Sequence, residues 1–218
     1  MSRPQSTDRA NILSQPIKKQ TRIQSERQEE ILAVALDVFS QHGFRGSSIN
    51  QIAKSAGMST PRLLYHFNDK EALYRALLKS TLMRWHTPLQ QIADTDTPVE
   101  EICCYISRKL EMSRQYPRES RLFAGEILMG VPRARDEVFE PLRATFDDKI
   151  RLLTTWMDKG LITRQDPHHL MYSIWATTQH YADFEAQIAE LSPEKLNTLY
   201  VDAKAFLIPM YRRLLTVE

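Results

Sequence analysis

The chain has 218 residues, 42% hydrophobic and 26% charged, and a formal net charge of +2. That length can bury roughly 70% of its unfolded surface, enough for a large core in one or two domains. No apolar run approaches the roughly 20 residues of a membrane span, no signal peptide opens the chain, and the adjacent Cys103 and Cys104 point apart on a helix, so a cytoplasmic protein without a disulfide is expected.

Residues 1–24 carry five basic and one acidic residue, for +4, whereas residues 25–86 sum to +2 and residues 87–218 to −4. The first segment is basic, rich in Ser, Gln and Pro, and has no periodicity, so it reads as a disordered arm. From Ser25 to Gln41 an amphipathic helix is expected, with Ile31, Leu32, Ala35, Leu36, Val38 and Phe39 as its apolar stripe and His42-Gly43 as its end. Phe44–Ser48 turns the chain, and Ser48 is placed to cap a short helix whose inner face is Ile49, Ile52, Ala53 and Ala56. Gly57 ends that helix, because a left-handed residue there has no Cβ penalty. Ser59 is then an N-cap and Pro61 lies in the first turn of a second short helix, where its missing N–H costs nothing. Leu63, Leu64 and Phe67 anchor that helix, which leaves Thr60, Arg62, Tyr65 and His66 facing outward. The pattern is that of a DNA-reading helix-turn-helix, and an ordinary helical hairpin is its alternative.

Asn68 or Asp69 caps a fourth helix expected from Lys70 to His86, stopping before Pro88. Further helices are expected from Thr97-Pro98 to Tyr116-Pro117, from Arg118 to Met129, and from Arg133 to Lys159 before Gly160. Asp166-Pro167 opens the next, running to about Leu191, and Ser192-Pro193 opens the last, ending near Leu215. Nothing in the pattern demands a sheet, so the expected fold is all-α with nine helices.

The string Ala35, Phe39, Gly43, Phe44, Ser48, Ile52, Ala53, Ala56, Gly57, Ser59, Leu63, Tyr65, His66, Phe67, Lys70, Glu71 and Leu73 resembles the TetR family of bacterial transcriptional regulators over about residues 26–74. The resemblance implies a helix-turn-helix domain over residues 25–70 and a helical ligand-binding and dimerisation domain over residues 71–218. It further implies that Tyr65, His66, Lys70 and the helix start near Ser47 and Ser48 face phosphates of double-stranded DNA, with Ser59, Thr60, Pro61 and Arg62 entering the groove. The family pattern commonly has Lys at the position of Thr60 and Tyr at that of Leu64. Their absence leaves Arg62 as the expected base reader, since a guanidinium bonds guanine O6 and N7 together. The basic arm then either reaches phosphates or the minor groove, or is a solvated tail. A homodimer is also implied, pairing the last two helices of each copy and reading a palindromic operator; Tyr172, Thr177, Tyr181, Phe184, Phe206, Ile208 and Tyr211 either supply that surface or belong to the core.

The segments Glu111–Pro117, Ser120–Phe123 and Ile174–Phe184, with Trp85 and Pro88, resemble the pyrimidine-utilisation regulators within that family. They imply a repressor that responds to uracil or thymine through a small pocket between helices of the C-terminal body. Trp175 and Gln179 stand four apart on one helix face, with Tyr172 a turn earlier, so an indole can stack on a planar ring whose edge an amide can read. Trp85 and Phe123 are expected to complete the pocket, the fourth helix carrying any displacement of Trp85 to the DNA-reading end. The alternative is a regulator answering to a larger apolar or aromatic ligand, which would need a cavity of several hundred Å³. The six histidines show no metal-binding spacing and no Gly-x-Ser-x-Gly turn is present, so no catalysis, metal or cofactor is expected.

Overall fold

The computed structural model describes residues 22–133 and 135–217; most of the expected basic arm lies outside the described residues. Within them the chain is all-α, with ten helices and no strand: α1 (Arg22–Gly46), α2 (Ile49–Ser55), α3 (Thr60–His66), α4 (Lys70–Gln90), α5 (Pro98–Gln115), α6 (Pro117–Leu128), α7 (Arg135–Asp158), α8 (Pro167–Asp183), α9 (Glu185–Leu191) and α10 (Leu199–Leu215).

Three helices end as their glycines predict. After α2, α6 and α7, Gly57, Gly130 and Gly160 take φ of 64°, 81° and 66°. At α2 the Gly57 N–H bonds the Lys54 carbonyl and the Met58 N–H the Ala53 carbonyl, a Schellman closure that satisfies two otherwise orphaned acceptors. Side-chain caps work at Ser48, which accepts from the Gln51 N–H at 3.2 Å, and at Asp69, which accepts from the Ala72 N–H at 2.7 Å.

Four expectations are corrected. Ser59 occupies the N-cap position of α3 but makes no side-chain cap bond. Pro88 lies inside α4, which runs on to Gln90: so near the helix end it forfeits only one backbone bond, and its ring is buried. The segment from Pro167 to Leu191 is two helices, because side chains of α6 close the end of α8. Arg121 donates to the Ala182 carbonyl at 3.0 Å and Ser120 to the Asp183 carboxylate at 2.5 Å. Ser192-Pro193 opens a 3₁₀ turn, Pro193–Lys195, rather than the last helix, which begins at Leu199. Ten helices therefore replace nine.

Two cores form. Ile31, Ala35 and Phe39 of α1, Ile52 and Ala53 of α2, Leu63 of α3 and Leu73, Leu77 and Leu78 of α4 make the first, with Leu122 of α6 reaching into it. Leu89 at the far end of α4 joins Tyr105, Ile106, Leu110, Trp156, Ile174, Leu207 and Tyr211 in the second. The single helix α4 is thus embedded in both cores, which makes it a rigid strut between the reading head and the body.

Candidate DNA-reading face and effector cavity

The α2–turn–α3 unit presents a defined outer surface. Leu63 is buried beneath α3, while Pro61, Arg62 and Tyr65 are exposed, Tyr65 at 75%. Ser48 and Ser59 are exposed and His66 is partly covered by an edge contact with Tyr65. Other predicted residues are held from within. The Thr60 hydroxyl donates to Asn50 Oδ1 at 2.8 Å and so joins α3 to α2. Ser47 is buried, its hydroxyl on the Phe44 carbonyl. The Lys70 ammonium donates to the carbonyls of Phe44 and Ser47, both at 2.8 Å, and lies 4.4 Å above the Phe44 ring. Lys70 therefore clamps the end of α1, which Gly43 bends with φ 67°, against the start of α2.

A second clamp reaches this place from the body. Glu126 of α6 is buried and holds Arg133 through its backbone N–H at 3.1 Å and its guanidinium at 3.0 Å. That guanidinium lies 4.1 Å from the Phe44 ring centre. Phe44 thus touches two cations, one from each half of the molecule. Burial raises the Tyr74 phenol well above its ordinary range, and the neighbouring Glu126 adds to the effect.

In the body, α4, α5, α6, α7 and α8 enclose a cavity of about 760 Å³. Trp85, Phe123, Trp175 and Gln179 all line it. Tyr172 does not: it lies two turns up α8 from Gln179, about 10 Å along the axis, and stacks instead on Phe146 with ring centres 6.0 Å apart. Leu82, Leu89, Ile127, Leu128, Phe139, Leu142 and Phe184 make most of the remaining wall apolar.

The polar and charged side chains of the lining are Tyr105, Lys109, Arg121, Gln179, His180 and Asp183. Trp175 Nε1 donates to the Tyr105 hydroxyl at 2.7 Å, which fixes the indole plane. Lys109 is buried and its ammonium lies 4.4 Å from the Trp85 ring centre. Burial lowers the Lys109 pKa to about 7, against a smaller opposing pull from Asp183. Burial likewise raises the Asp183 carboxyl, partly offset by the Ser120 bond. Sequence reasoning missed Lys109 and Asp183. Lys109 falls three after Ile106 and four after Tyr105, on the inward stripe of α5, and that periodicity was its available signal.

Among the proposed pairing residues, Tyr211 is buried within the chain, its hydroxyl on Thr177 and Ser173 at 3.0 and 3.1 Å. On the outside of α10, Phe206, Met210 and Leu214 stand four apart and exposed.

No helix among the described residues is long and apolar enough to cross a membrane, and no group of three metal-ligating side chains is found among them. Residues 31–77 match the family "Bacterial regulatory proteins, tetR family", and residues 78–218 match "YcdC-like protein, C-terminal region". The chain is 46% identical over 170 residues to the HTH-type transcriptional regulator RutR of Escherichia coli (strain K12), covering 78% of this chain and 80% of that one. It is 37% identical over 87 residues to the HTH-type transcriptional regulator UidR of the same strain, covering 38% and 44%. Two solved structures share the fold. The putative transcriptional regulator SCO4942 from Streptomyces coelicolor has a TM-score of 0.69 at 21% identity, covering 87% of this chain and 98% of that one. The ketosteroid transcriptional regulator KstR2 of Mycobacterium tuberculosis has 0.67 at 20% identity, covering 88% and 96%.

Proposed function

Because the chain belongs to the TetR family of bacterial regulators and is a helix-turn-helix DNA-binding protein of that family, we propose that it is a repressor released from a palindromic operator by a pyrimidine, uracil or thymine. The reading head is residues 25–70 and the effector-binding and pairing body residues 71–218. Arg62, exposed at the start of α3, reads bases, with Ser59, Thr60 and Pro61 beside it. Ser47, Ser48, Tyr65, His66 and Lys70 act on the backbone side, Ser47 and Lys70 by shaping the α1–α2 corner. The exposed Phe206, Met210 and Leu214 stripe supports a homodimer through α8 and α10, whose two heads read half-sites roughly 34–36 Å apart.

The observation that carries the effector reading is the convergence of Trp85, Trp175 and Gln179 on one cavity that Lys109 also lines. A planar imide presents alternating C=O and N–H groups, which suit Gln179, Lys109 and an indole stacking face. The resemblance of Ile174–Phe184 to pyrimidine-utilisation regulators supports the same class.

One observation favours a second reading. The cavity volume of about 760 Å³ and its largely apolar wall fit a larger apolar or aromatic ligand, within the roughly 300–1,000 Å³ typical of such sites. Thermal unfolding with uracil or thymine separates the two. A ligand confined to the folded state adds about 2.7 kcal/mol at a hundredfold excess over Kd. A rise in Tm that disappears in Gln179→Ala is the expected result; no shift at millimolar pyrimidine overturns the pyrimidine reading in favour of the second.

A further inference from the structure

The Lys109 side chain is placed unlike any other cation described in the fold. It is buried, at 4% exposure, and makes no hydrogen bond or ion pair among the described residues. Its neighbour across the cavity wall, Trp85, has an indole N–H that is also buried without an acceptor. A buried lysine with no carboxylate within ion-pair distance is costly to the fold, because its charge loses water and the more distant attraction of Asp183 restores only part of it. The Trp85 ring face, 4.4 Å away, recovers only part of that loss. An ammonium carries three donors and no acceptor, so the missing partner is an oxygen or another lone-pair acceptor.

We propose that Lys109 anchors the effector by donating from its ammonium to a ligand oxygen, and that the cavity therefore selects ligands bearing a carbonyl or carboxylate acceptor on a body that stacks against Trp85. The proposal rests on the cavity being the effector site, and it deepens that reading by naming the group every effector must carry. A uracil carbonyl and an alkyl carboxylate both satisfy it, whereas a hydrocarbon without oxygen does not.

Burial and the charged groups around the cavity bear on the charge of Lys109. The titratable side chains that share the lining are Asp183 and His180 of α8, Arg121 of α6 and Tyr105 of α5; the lining residues of α4 and α7 (Leu82, Trp85, Leu89, Phe139 and Leu142) do not titrate near neutrality. Asp183 is the one whose field favours the ammonium. With burial holding the amine near pH 7, the empty protein at pH 8 is largely neutral at Lys109. An acceptor ligand favours the charged form, so binding takes up a proton, and affinity falls by up to tenfold per pH unit above about pH 7.

The test is calorimetric titration of the full-length protein with uracil and, separately, with octanoate. Each is run at pH 6.5 and 8.0 in two buffers of different ionisation enthalpy, for the parent, Lys109→Met and Lys109→Gln. At least one probe is expected to bind the parent, with proton uptake at pH 8.0. Lys109→Met should bind that probe at least tenfold more weakly at pH 6.5, and Lys109→Gln, which keeps a neutral donor, should bind it at an intermediate level without proton uptake. Unchanged folding of both variants, seen as cooperative thermal melts, separates loss of the anchor from loss of the fold. Octanoate binding through Lys109 without uracil binding would keep the anchor and remove the pyrimidine reading. The anchor itself is overturned if neither probe binds the parent at millimolar concentration, or if a bound probe is held as tightly by Lys109→Met with no proton uptake in the parent.

Discussion

The Lys109 ammonium and the Trp85 ring, from α5 and α4, meet with 4.4 Å between charge and ring centre inside the cavity wall. This contact joins the one buried, unpaired cation among the described residues to the helix that enters both cores. Trp85 lies toward one end of α4, and the other end begins at the clamp formed by Lys70.

Lys109 makes the fold's stability depend on pH in a direction that can be worked out. Its pKa is about 7 in the folded chain and about 10.5 when solvated. Below pH 7 the amine is charged in both states and its burial weakens the fold. Between about pH 7 and 10.5 the unfolded chain binds more protons, so stability rises with pH relative to a chain lacking the amine, by at most about 1.4 kcal/mol per pH unit. Lys109→Met should therefore gain most over the parent at pH 6, and the gap should narrow by pH 9. Urea unfolding of both proteins at pH 6, 7.5 and 9 measures it; a constant gap would contradict the assignment.

Glu126 and Arg133 form the other consequential pair. Arg133→Ala strands a buried carboxylate beside Tyr74 and is expected to cost about 3–5 kcal/mol at neutral pH. Glu126→Gln added to Arg133→Ala should recover part of that loss, because no charge is then left unpaired. Denaturant unfolding of the single and double variants gives the coupling, and additive losses would contradict it.

On the reading face, Arg62→Ala should weaken DNA binding by about 1–3 kcal/mol and relax base preference at one position. Tyr65→Ala should weaken binding to all sequences alike, as a backbone contact does. Parallel binding of both variants to a randomised DNA library separates these patterns, and identical sequence preferences for Arg62→Ala and parent would refute the base-reading role.

Much of this architecture is legible along the chain because its signals are local. Gly57, Gly130 and Gly160 need no tertiary contact to end a helix, since each only has to adopt a positive φ. Ser48 and Asp69 cap helices with atoms three residues away. The break after Asp183 was not legible: no glycine or proline marks it, and the groups that close α8 are Ser120 and Arg121, some sixty residues earlier. Pro88 misled because the rule that places it outside a helix weakens in the last turn, where one lost bond is tolerated. Of the cavity's lining residues, Trp175 and Gln179 are marked by their helical spacing and Trp85 and Phe123 only by family resemblance, whereas Tyr172 satisfies the same spacing but lies beyond the cavity's end. Lys109 and Asp183 went unseen because a charged side chain on a helix is ordinarily solvated, and only tertiary packing buries the first and half-buries the second.

The most direct measurement is the affinity of the full-length protein for a DNA fragment it selects from a random library, titrated with and without uracil, in parent and in Trp85→Ala. A regulator of the kind proposed loses DNA affinity by roughly 5–150-fold at saturating uracil, a coupling of about 1–3 kcal/mol, and Trp85→Ala loses that response while still binding DNA. DNA affinity of the parent that is unchanged by saturating uracil would contradict the account, and an undiminished response in Trp85→Ala would contradict the route through α4.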